Sequence, residues 1–294
     1  MDLIKLKFDF LRIIADYEHY VALNIPSSTE IESIQKIVTH FWKDHFLSGL
    51  IIEQQFVSLN SDQPAIRKIA IEMFTGLLWK HDMDERYKSR ECREKIARIY
   101  FPFVVKLVEN SENFLKLDAK EQREWIICFV WILMNCNIEK ILKKWWIGDT
   151  IKNQKSFLDL LYKALQVTEG NKLVSFVVLE IVEEMMLDNV ETLKEVENDE
   201  FLSKIFRIFY QLLDNENQSA LLLKFLFESS LKKFVHLFQK VLFEYQNTSK
   251  YCGEFSYQTI KYLNVANGEV RACASAFFYL LLKTNYTLRG NIAR

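Results

Sequence analysis

Glycine and proline are scarce in this 294-residue sequence, with 7 and 3 occurrences. The three prolines, Pro26, Pro64 and Pro102, all lie in the first third of the chain. A β-rich protein, or one with long irregular loops, needs more of these turn-forming residues. The shortage therefore favours long helices joined by short polar turns.

The sequence also lacks an excess of either charge, since 38 basic residues stand against 39 acidic ones. No overall field would steer the chain to nucleic acid or to an anionic membrane. The cysteines number five and form no C-x-x-C pair, which favours buried reduced thiols over disulfides or zinc sites. We therefore predict a cytoplasmic protein with no metal, no cofactor and no nucleic-acid partner.

A targeting or membrane-spanning segment is missing as well. The N-terminal stretch MDLIKLKFDFLRIIADYEHY mixes charges into its apolar residues and has no small-residue cleavage site, which indicates an amphipathic helix rather than a signal peptide. The most apolar run, WIICFVWILMNC at 125–136, is too short to cross a bilayer as a helix. We expect no direct insertion into a membrane.

Helical periodicity is what the sequence has in abundance. In AIRKIAIEMFTGLLWK the apolar residues from Ile66 to Leu78 recur every three or four positions, and Pro64 stands just ahead of them as a start signal. Asp118 and Glu121 have the spacing of a capping box. No stretch has the pattern of a strand, so the predicted class is all-α. We predict helices near 2–22, 28–58 with a break near Gly49, 64–80, 89–109, 119–146, 153–168, 171–188, 198–213, 217–229, 231–246, 251–264 and 268–285.

One internal similarity suggests how these helices are arranged. The segment AIRKIAIEMFTGLL at 65–78 aligns with EVRACASAFFYLLL at 269–282, so that Arg67 corresponds to Arg271. The two lie about five repeat lengths apart if a repeat has the 40–47 residues typical of HEAT and armadillo proteins. Coincidental similarity of two amphipathic helices is the alternative. With no Gly/Pro-rich linker, the pattern favours an α-solenoid over two helical bundles.

The two ends of the chain bear on its domain organisation. A solenoid needs polar terminal repeats, whereas this chain has apolar helices at Leu3–Ile14 and Val270–Leu282. We predict a single repeat domain over 1–294 that is a fragment of a larger multidomain protein.

The stretch KHDMDERYKSRECREKIARIYFPF at 80–103 is the most chemically suggestive part of the sequence. Its side chains His81, Asp82, Asp84 and Glu85 could in principle hold a hard cation, but the glycine and spaced ligands of a calcium loop are absent. His40 and His45 are five residues apart, unlike the four-residue spacing of helical zinc ligands. No nucleophile motif or phosphate-binding glycine loop occurs, so we predict no catalytic residues and no metal ligands.

We interpret this stretch instead as a structural junction between two helices. Arg86 is predicted to pair with Asp82 or Asp84, and together with Tyr87 it would lock the turn. Pro102 lies inside the following helix and is predicted to kink or break it there, because it lacks an N–H group.

Trp145 and Trp146 are the candidate partner contact. They follow two lysines in EKILKKWWIGD, and an exposed tryptophan is a frequent anchor of protein interfaces. Stacking on nucleic-acid bases is one alternative. The other is that tandem tryptophans at a helix end serve as one core anchor and one groove-facing neighbour.

Several stretches, read in order, resemble the DOCK (dedicator of cytokinesis) family, and most nearly its zizimin-like branch. The most recognisable is K-H-D-x-D-x-R-Y followed by I-A-R-x-Y-x-P, within 66–110. The similarity spans 17–290 and is weakest over about 168–250. The other stretches are YEHYVALNIP at 17–26, DHFLSGLIIEQ at 44–54, REWIICFVWILMNCNIEKILKKWW at 123–146, FLDLLYKALQ at 157–166 and EVRACASAFFYLLLKTNY at 269–286.

The resemblance carries definite expectations. DOCK proteins are guanine-nucleotide exchange factors for Rac- and Cdc42-type GTPases, with a lipid-binding DHR-1 domain, a middle armadillo-like helical region and a catalytic DHR-2 domain. This chain resembles the middle region alone, so it implies a non-catalytic scaffold that spaces DHR-1 and DHR-2 and offers a partner-binding surface. The GTPase would be engaged by a domain outside the chain, and membrane recruitment would occur through other domains.

Two other readings remain open on the residues alone. One is an unrelated HEAT- or armadillo-like adaptor that binds peptides or helices. The other is an all-α enzyme, which would need a deep pocket with convergent polar groups of perturbed pKa. The chain also has only short polar segments, at 111–120 and 168–172, where vertebrate-type members of the resembled branch carry long insertions.

Overall fold

A computed structural model describes residues 2–24, 46–168, 171–188, 199–215, 218–244 and 249–290. Every regular element within these ranges is helical, so the predicted all-α class is confirmed for the described part of the chain. The chain divides into two compact units, Met1–Leu160 and Leu161–Arg294. The predicted single domain over 1–294 stays a prediction beside this division, and each unit is described by itself.

The first unit contains eight described α-helices and the start of a ninth. Between them lie a 3₁₀ turn at Glu85–Tyr87 and a π-helical turn at Ile138–Leu142. The helices are α1 (Asp2–Ala15), α2 (Tyr20–Asn24), α3 (Phe46–Leu59), α4 (Pro64–Met83), α5 (Arg90–Glu109), α6 (Ser111–Phe114), α7 (Ala119–Asn135), α8 (Lys143–Gly148) and α9 (Ile151–Val167).

The second unit begins within α9. It has a π-helical turn at Leu226–Ser230, directly between two α-helices. Its further described helices are α10 (Lys172–Asp188), α11 (Asp199–Asp214), α12 (Ala220–Phe225), α13 (Leu231–Glu244), α14 (Ser249–Tyr262) and α15 (Gly268–Gly290).

Local signals in the sequence place several helix starts correctly. Pro64 is the first residue of α4, where its missing N–H has no intrahelical partner to lose. Asp118 and Glu121 form the predicted capping box of α7, with the Glu121 backbone N–H donating to Asp118 at 2.8 Å. These predictions are confirmed.

Other boundaries differ from the prediction. The helix predicted over 2–22 is interrupted by turns at 16–19, and the one predicted over 119–146 ends at Asn135. Gly49 itself does not interrupt a helix, because α3 begins at Phe46 and runs through this buried residue to Leu59. The first part of that predicted helix, with His40 and His45, lies outside the described residues. Periodicity continues across a short turn whenever the flanking helices bury similar faces, so it misses such interruptions.

Pro102 does not break its helix, which was one of the two effects predicted for it. Helix α5 continues through it to Glu109 with Pro102 itself buried. An internal proline costs about 3 kcal/mol or more of helix stability. The cost is offset by packing, since almost every residue from Ile99 to Val108 is buried. Tertiary burial therefore overrides the local preference.

Phe103 of α5 lies where four helices of the first unit meet. Its ring centroid is 4.7 Å from that of Phe74 on α4, 5.4 Å from that of Trp125 on α7 and 5.4 Å from that of Phe56 on α3. All four rings are buried, with at most 5% of each exposed. This aromatic cluster is the centre of the first unit's core.

Helices α4 and α7 run in the same direction beside one another. Arg67 in the first turns of α4 donates to Glu121 at the start of α7, at 2.8 and 3.1 Å. Farther along, the Thr75 hydroxyl lies 3.3 Å from the Cys128 sulfur, and the Trp131 indole donates to Asp82 at 3.4 Å. The contacts thus advance together along both helices.

Parallel neighbours recur in the second unit. The Gln218 amide, just ahead of α12, donates to Ser175 in the first turn of α10 at 3.2 Å. Farther along α10, the buried Glu183 accepts from Ser230 of the following π-helical turn at 2.8 Å and from Lys233 of α13. Burial alone would raise the pKa of Glu183, but the hydrogen bonds from Lys233, Ser230 and Ser229 lower it below the ordinary value.

Helix α12 and the π-helical turn that follows it run in turn parallel to the start of α15. Lys224 donates to Glu269 at 3.2 Å, and the Cys273 thiol donates to Glu228 at 3.0 Å.

In the part of the chain that the structure describes, no single helix has the length and apolarity that a membrane crossing requires. The helices Ala119–Asn135 and Ile138–Gly148 reach that threshold as a pair, and they are bent by 104° relative to each other.

Replacing Phe103 tests the proposed centre of the core. We expect Phe103→Ala to lower the free energy of unfolding by about 3–5 kcal/mol, because it leaves a cavity between four helices. Urea denaturation followed by circular dichroism measures this. Phe10→Ala, at a phenylalanine that is 61% exposed, is the matched control and should cost far less. Equal effects of the two substitutions would show that Phe103 has no special position.

Candidate functional site

The junction between α4 and α5 is built around a buried histidine. His81, in the last turn of α4, is 3% exposed, and its Nε2 lies 3.0 Å from the Tyr100 hydroxyl of α5. The Tyr100 hydroxyl donates to the Tyr20 hydroxyl of α2 at 3.2 Å. His81 also stacks on the Tyr20 ring, with centroids 6.0 Å apart. Three helices are therefore joined by a chain of polar groups inside an aromatic environment.

Burial controls the ionisation of this chain of polar groups. It lowers the pKa of His81 to about 4, with the nearby Lys80 charge acting in the same direction. It also raises the pKa values of Tyr20 and Tyr100 above their ordinary range. The imidazole and both phenols are neutral at physiological pH. This chain of polar groups therefore links the three helices, and none of its members is charged and able to act on a ligand.

The predicted ion pair of Arg86 is present, and its partner is Asp84. The Arg86 Nη2 lies 2.6 Å from the Asp84 Oδ2, and the Arg86 backbone N–H donates to the same carboxylate at 3.0 Å. The hydrogen bond from the Arg86 side chain lowers the pKa of Asp84 to about 2. The guanidinium also lies over the Tyr87 ring, 5.4 Å from its centroid. Asp84, Arg86 and Tyr87 thus shape the 3₁₀ turn.

Asp82 has different partners from those predicted. It accepts from the indole of Trp131 on α7 and forms an ion pair with Arg93 of α5 at 3.4 Å. One carboxylate at the end of α4 thereby contacts both helices that pack beside it. Ser89 caps α5 by accepting from the Cys92 N–H at 3.2 Å. The acids that first suggested a metal loop are held by cations and donors of the chain.

A cleft of about 310 Å³ opens beside this junction. Its cations are already paired with carboxylates: Lys88 with Glu85, Arg90 with Glu94 at 3.2 Å, and Arg93 with Asp82. Within the described residues, no group of three or more His, Cys, Asp or Glu side chains is placed to hold a metal ion. The cleft is lined by Lys88, Arg90, Arg93, Glu94, Met134, Asn135 and Cys136.

Trp145 and Trp146 are buried, with 4% and 1% of their surface exposed. Their ring centroids lie 5.2 and 6.0 Å from that of Phe157 on α9, and Trp145 also meets Phe101 of α5 at 6.1 Å. The exposure that their role as a partner contact requires is therefore absent. The reason is that α8 turns sharply from α7 and directs both indoles into the core.

Sequence reasoning missed the chain formed by Tyr20, His81 and Tyr100. One signal was present, since His81 continues the apolar stripe of α4 four residues after Leu77. A histidine on an apolar stripe is buried with a partner. The sequence contains no sign that the partner would be Tyr100, or that Tyr20 would complete the chain.

Comparison with curated proteins finds several relatives that are named dedicator of cytokinesis and one that is named guanine nucleotide exchange factor SPIKE 1. The chain is 36% identical over 126 residues to dedicator of cytokinesis protein 9 of Mus musculus, a match that covers 40% of the chain and 6% of that protein. It is 28% identical over 166 residues to guanine nucleotide exchange factor SPIKE 1 of Arabidopsis thaliana, covering 56% and 8%. It is 22% identical over 259 residues to dedicator of cytokinesis protein 7 of Homo sapiens, covering 57% and 12%.

These matches cover only a small part of each relative, between 6% and 12% of its length. The alignment with the human protein is 259 positions long, whereas the aligned 57% of this chain contains fewer residues than that. The human protein therefore carries residues within the aligned region that this chain lacks. No protein-family model matches the chain, and no solved structure matches it.

The buried histidine makes a prediction about pH. The pKa of His81 in the folded state, about 4, lies below the 6.5 of an unperturbed imidazole, so the unfolded state binds more protons between these values. Stability should therefore fall as the pH is lowered through this window, by about 2 kcal/mol at pH 5 for this one group. Urea denaturation at pH 7 and pH 5 measures the loss.

His81→Gln should remove this part of the pH dependence, and His236→Gln, at an exposed histidine, controls for the loss of an imidazole as such. A titration of the histidine ring signals by NMR gives an independent reading. If the His81 signal titrates near pH 6.5, the imidazole is not buried as described.

Proposed function

The chain belongs to the dedicator-of-cytokinesis family, and from this premise we propose that it is the armadillo-like helical segment of a guanine-nucleotide exchange factor for Rho-family GTPases. The similarity to a protein named as a guanine nucleotide exchange factor, SPIKE 1, supports the activity of the parent protein. On this proposal, residues 1–294 form one repeat domain of a larger protein. The zizimin-like branch is part of the proposal.

The sequence offset between parallel helices supports the armadillo- or HEAT-like repeat. In the second unit, side chains of parallel helices bond across 43 residues from Gln218 to Ser175, 47 from Ser230 to Glu183, and 45 from Lys224 to Glu269. The Asp214 carboxylate at the end of α11 accepts from Gln258 of α14 across 44 residues. An offset near 45 residues matches the repeat length of HEAT and armadillo proteins, in which each helix pair packs on the next.

The role that follows is structural. A stacked array of helix pairs holds the elements before and after it at a set distance, and its concave side is a surface for protein partners. The segment would in this way space a membrane-binding DHR-1 domain and a catalytic DHR-2 domain. The GTPase would be engaged outside this chain. The protein would be cytoplasmic and recruited to the membrane through its other domains.

The chemistry of the junction agrees with a role that is not catalytic. The acids Asp82 and Asp84 are engaged by the chain's own arginines, and the phenols and the imidazole beside them are neutral. An exchange factor needs groups that compete for the phosphates or the Mg²⁺ of the nucleotide. A carboxylate that is already paired with an arginine competes poorly for Mg²⁺. We assign no catalytic, cofactor-binding or metal-binding residue.

A nucleotide-release assay tests the proposal. Rac- and Cdc42-type GTPases loaded with a fluorescent GDP analogue should release it at the same rate with and without a micromolar excess of the 294-residue chain. Chelation of Mg²⁺ with EDTA is the positive control for release. A chain-dependent acceleration that is retained in a second, independently purified preparation would mean that this segment is itself catalytic.

A second test addresses the parent protein. The coding sequence that follows the codon for Arg294 should encode a further helical domain with similarity to the exchange domains of the relatives. A stop codon at that position would contradict the proposed architecture, whatever the outcome of the release assay.

A further inference from the structure

The stripe of α4 that faces α7 can be defined residue by residue. Arg67, Thr75 and Asp82 each make a side-chain contact to α7. Ile71 and Leu78 lie between them at helical spacing and are 3% and 2% exposed. A parallel helix covers these five positions, which we call the α7-facing stripe.

The equivalent stripe of α15 is uncovered. In the alignment of 65–78 with 269–282, continued to the end of the stripe, the five residues correspond to Arg271, Ser275, Tyr279, Leu282 and Tyr286. All five are exposed, and the three large ones have 66%, 52% and 81% of their surface accessible. The opposite side of α15 is packed, with Val270, Ala274, Phe277 and Leu281 buried. Both of these similar helices thus bury one side, whereas the face equivalent to the α7-facing stripe is covered in α4 and exposed in α15.

The two arginines adopt the same backbone contact. Arg67 donates from Nη1 to the Ser61 carbonyl at 2.7 Å, and Arg271 donates from Nη1 to the Val265 carbonyl at 2.7 Å, in each case six residues back. Arg67 then uses its remaining N–H groups on Glu121, and both side chains are 14% exposed. Arg271 has no carboxylate partner among the residues that the structure describes. Its guanidinium is held in position by backbone carbonyls and has donors left over.

We propose that this face of α15, formed by Arg271, Ser275, Tyr279, Leu282 and Tyr286, binds an amphipathic helix of a partner polypeptide, parallel to α15, with a carboxylate in its first turn. The carboxylate takes the place that Glu121 occupies beside Arg67. The apolar side of the partner helix covers Tyr279, Leu282 and Tyr286. A planar guanidinium that is already oriented recognises a carboxylate with two parallel hydrogen bonds.

Charge argues against a second copy of α15 as the occupant. Arg271 is the only charged residue of the stripe, so two such stripes facing each other would offer it no carboxylate. A first-turn acid on the partner is favoured twice, because it also complements the positive end of its own helix. Glu121 has this arrangement, since it closes the capping box of α7 with Asp118.

A synthetic helix serves as the probe. We would use a fluorescein-labelled 20-residue peptide that begins with Asp-Ala-Lys-Glu, as residues 118–121 do, keeps tryptophan at the position of Trp131, has leucine on the rest of that face and has Lys, Gln and Ala elsewhere. Fluorescence anisotropy with the full chain should give saturable binding. Arg271→Gln should weaken binding about fivefold, and Leu282→Ser should weaken it further.

Matched variants make the result specific. Arg123→Gln and Leu221→Ser repeat the two substitutions at exposed positions elsewhere in the chain and should leave the affinity unchanged. A peptide with Gln in place of its first-turn Glu should bind more weakly, and for that peptide Arg271→Gln should have no effect. Circular dichroism of each variant confirms that it is folded.

The possible outcomes decide the matter. If Arg271→Gln weakens binding of the peptide with glutamate but not of the peptide with glutamine, the contact between Arg271 and that glutamate is established. Absence of saturable binding at millimolar peptide, or an equal loss with both peptides, overturns the proposal. Concentration-dependent association of the chain itself that is abolished by Leu282→Ser would assign the face to a second copy, and this also overturns it.

Discussion

Helix α5 is apolar on nearly every side over its second half, and a helix of this kind has to be covered by several neighbours at once. Phe103 shows how this is done, because rings from α3, α4 and α7 surround it within 5.4 Å. The neighbours come from both sides of α5 in the sequence. The same burial explains why α5 accepts Pro102.

Parallel helices form a second level of organisation. In the second unit the polar contacts between such helices join residues about 45 positions apart, and in the first unit the pair from Arg67 to Glu121 spans 54. Arg67 and Glu121 are largely buried, with 14% of each side chain exposed. A buried or half-buried polar group without a partner costs free energy, so such pairs favour one register over a slide of one helix along the other. The register of the helices therefore depends on a few polar pairs such as Arg67 with Glu121.

The junction at residues 80–103 illustrates the limits of judging chemistry from composition. Its charged residues suggested a site, and the packing assigns each acid a local partner instead. The surface that we propose for a partner lies elsewhere, on α15. The tryptophans that looked suited to it lie in the core, whereas Tyr279, Leu282 and Tyr286 of α15 are exposed beside an arginine that has donors to spare. Aromatic content alone did not distinguish the two places, because burial depends on which helices lie alongside.

The sequence by itself determined the all-α class, most helix positions, the capping box of Asp118 and Glu121, the pairing of Arg86 with an acid, and the resemblance to one family. These features depend on residues close together in the chain, or on the order of whole segments. Only the tertiary structure decided that His81 meets Tyr100 and Tyr20, that Trp145 and Trp146 are buried, and that α5 passes through Pro102. Each of these depends on contacts between distant helices, and a local pattern specifies which face of a helix is apolar but not which neighbour covers it.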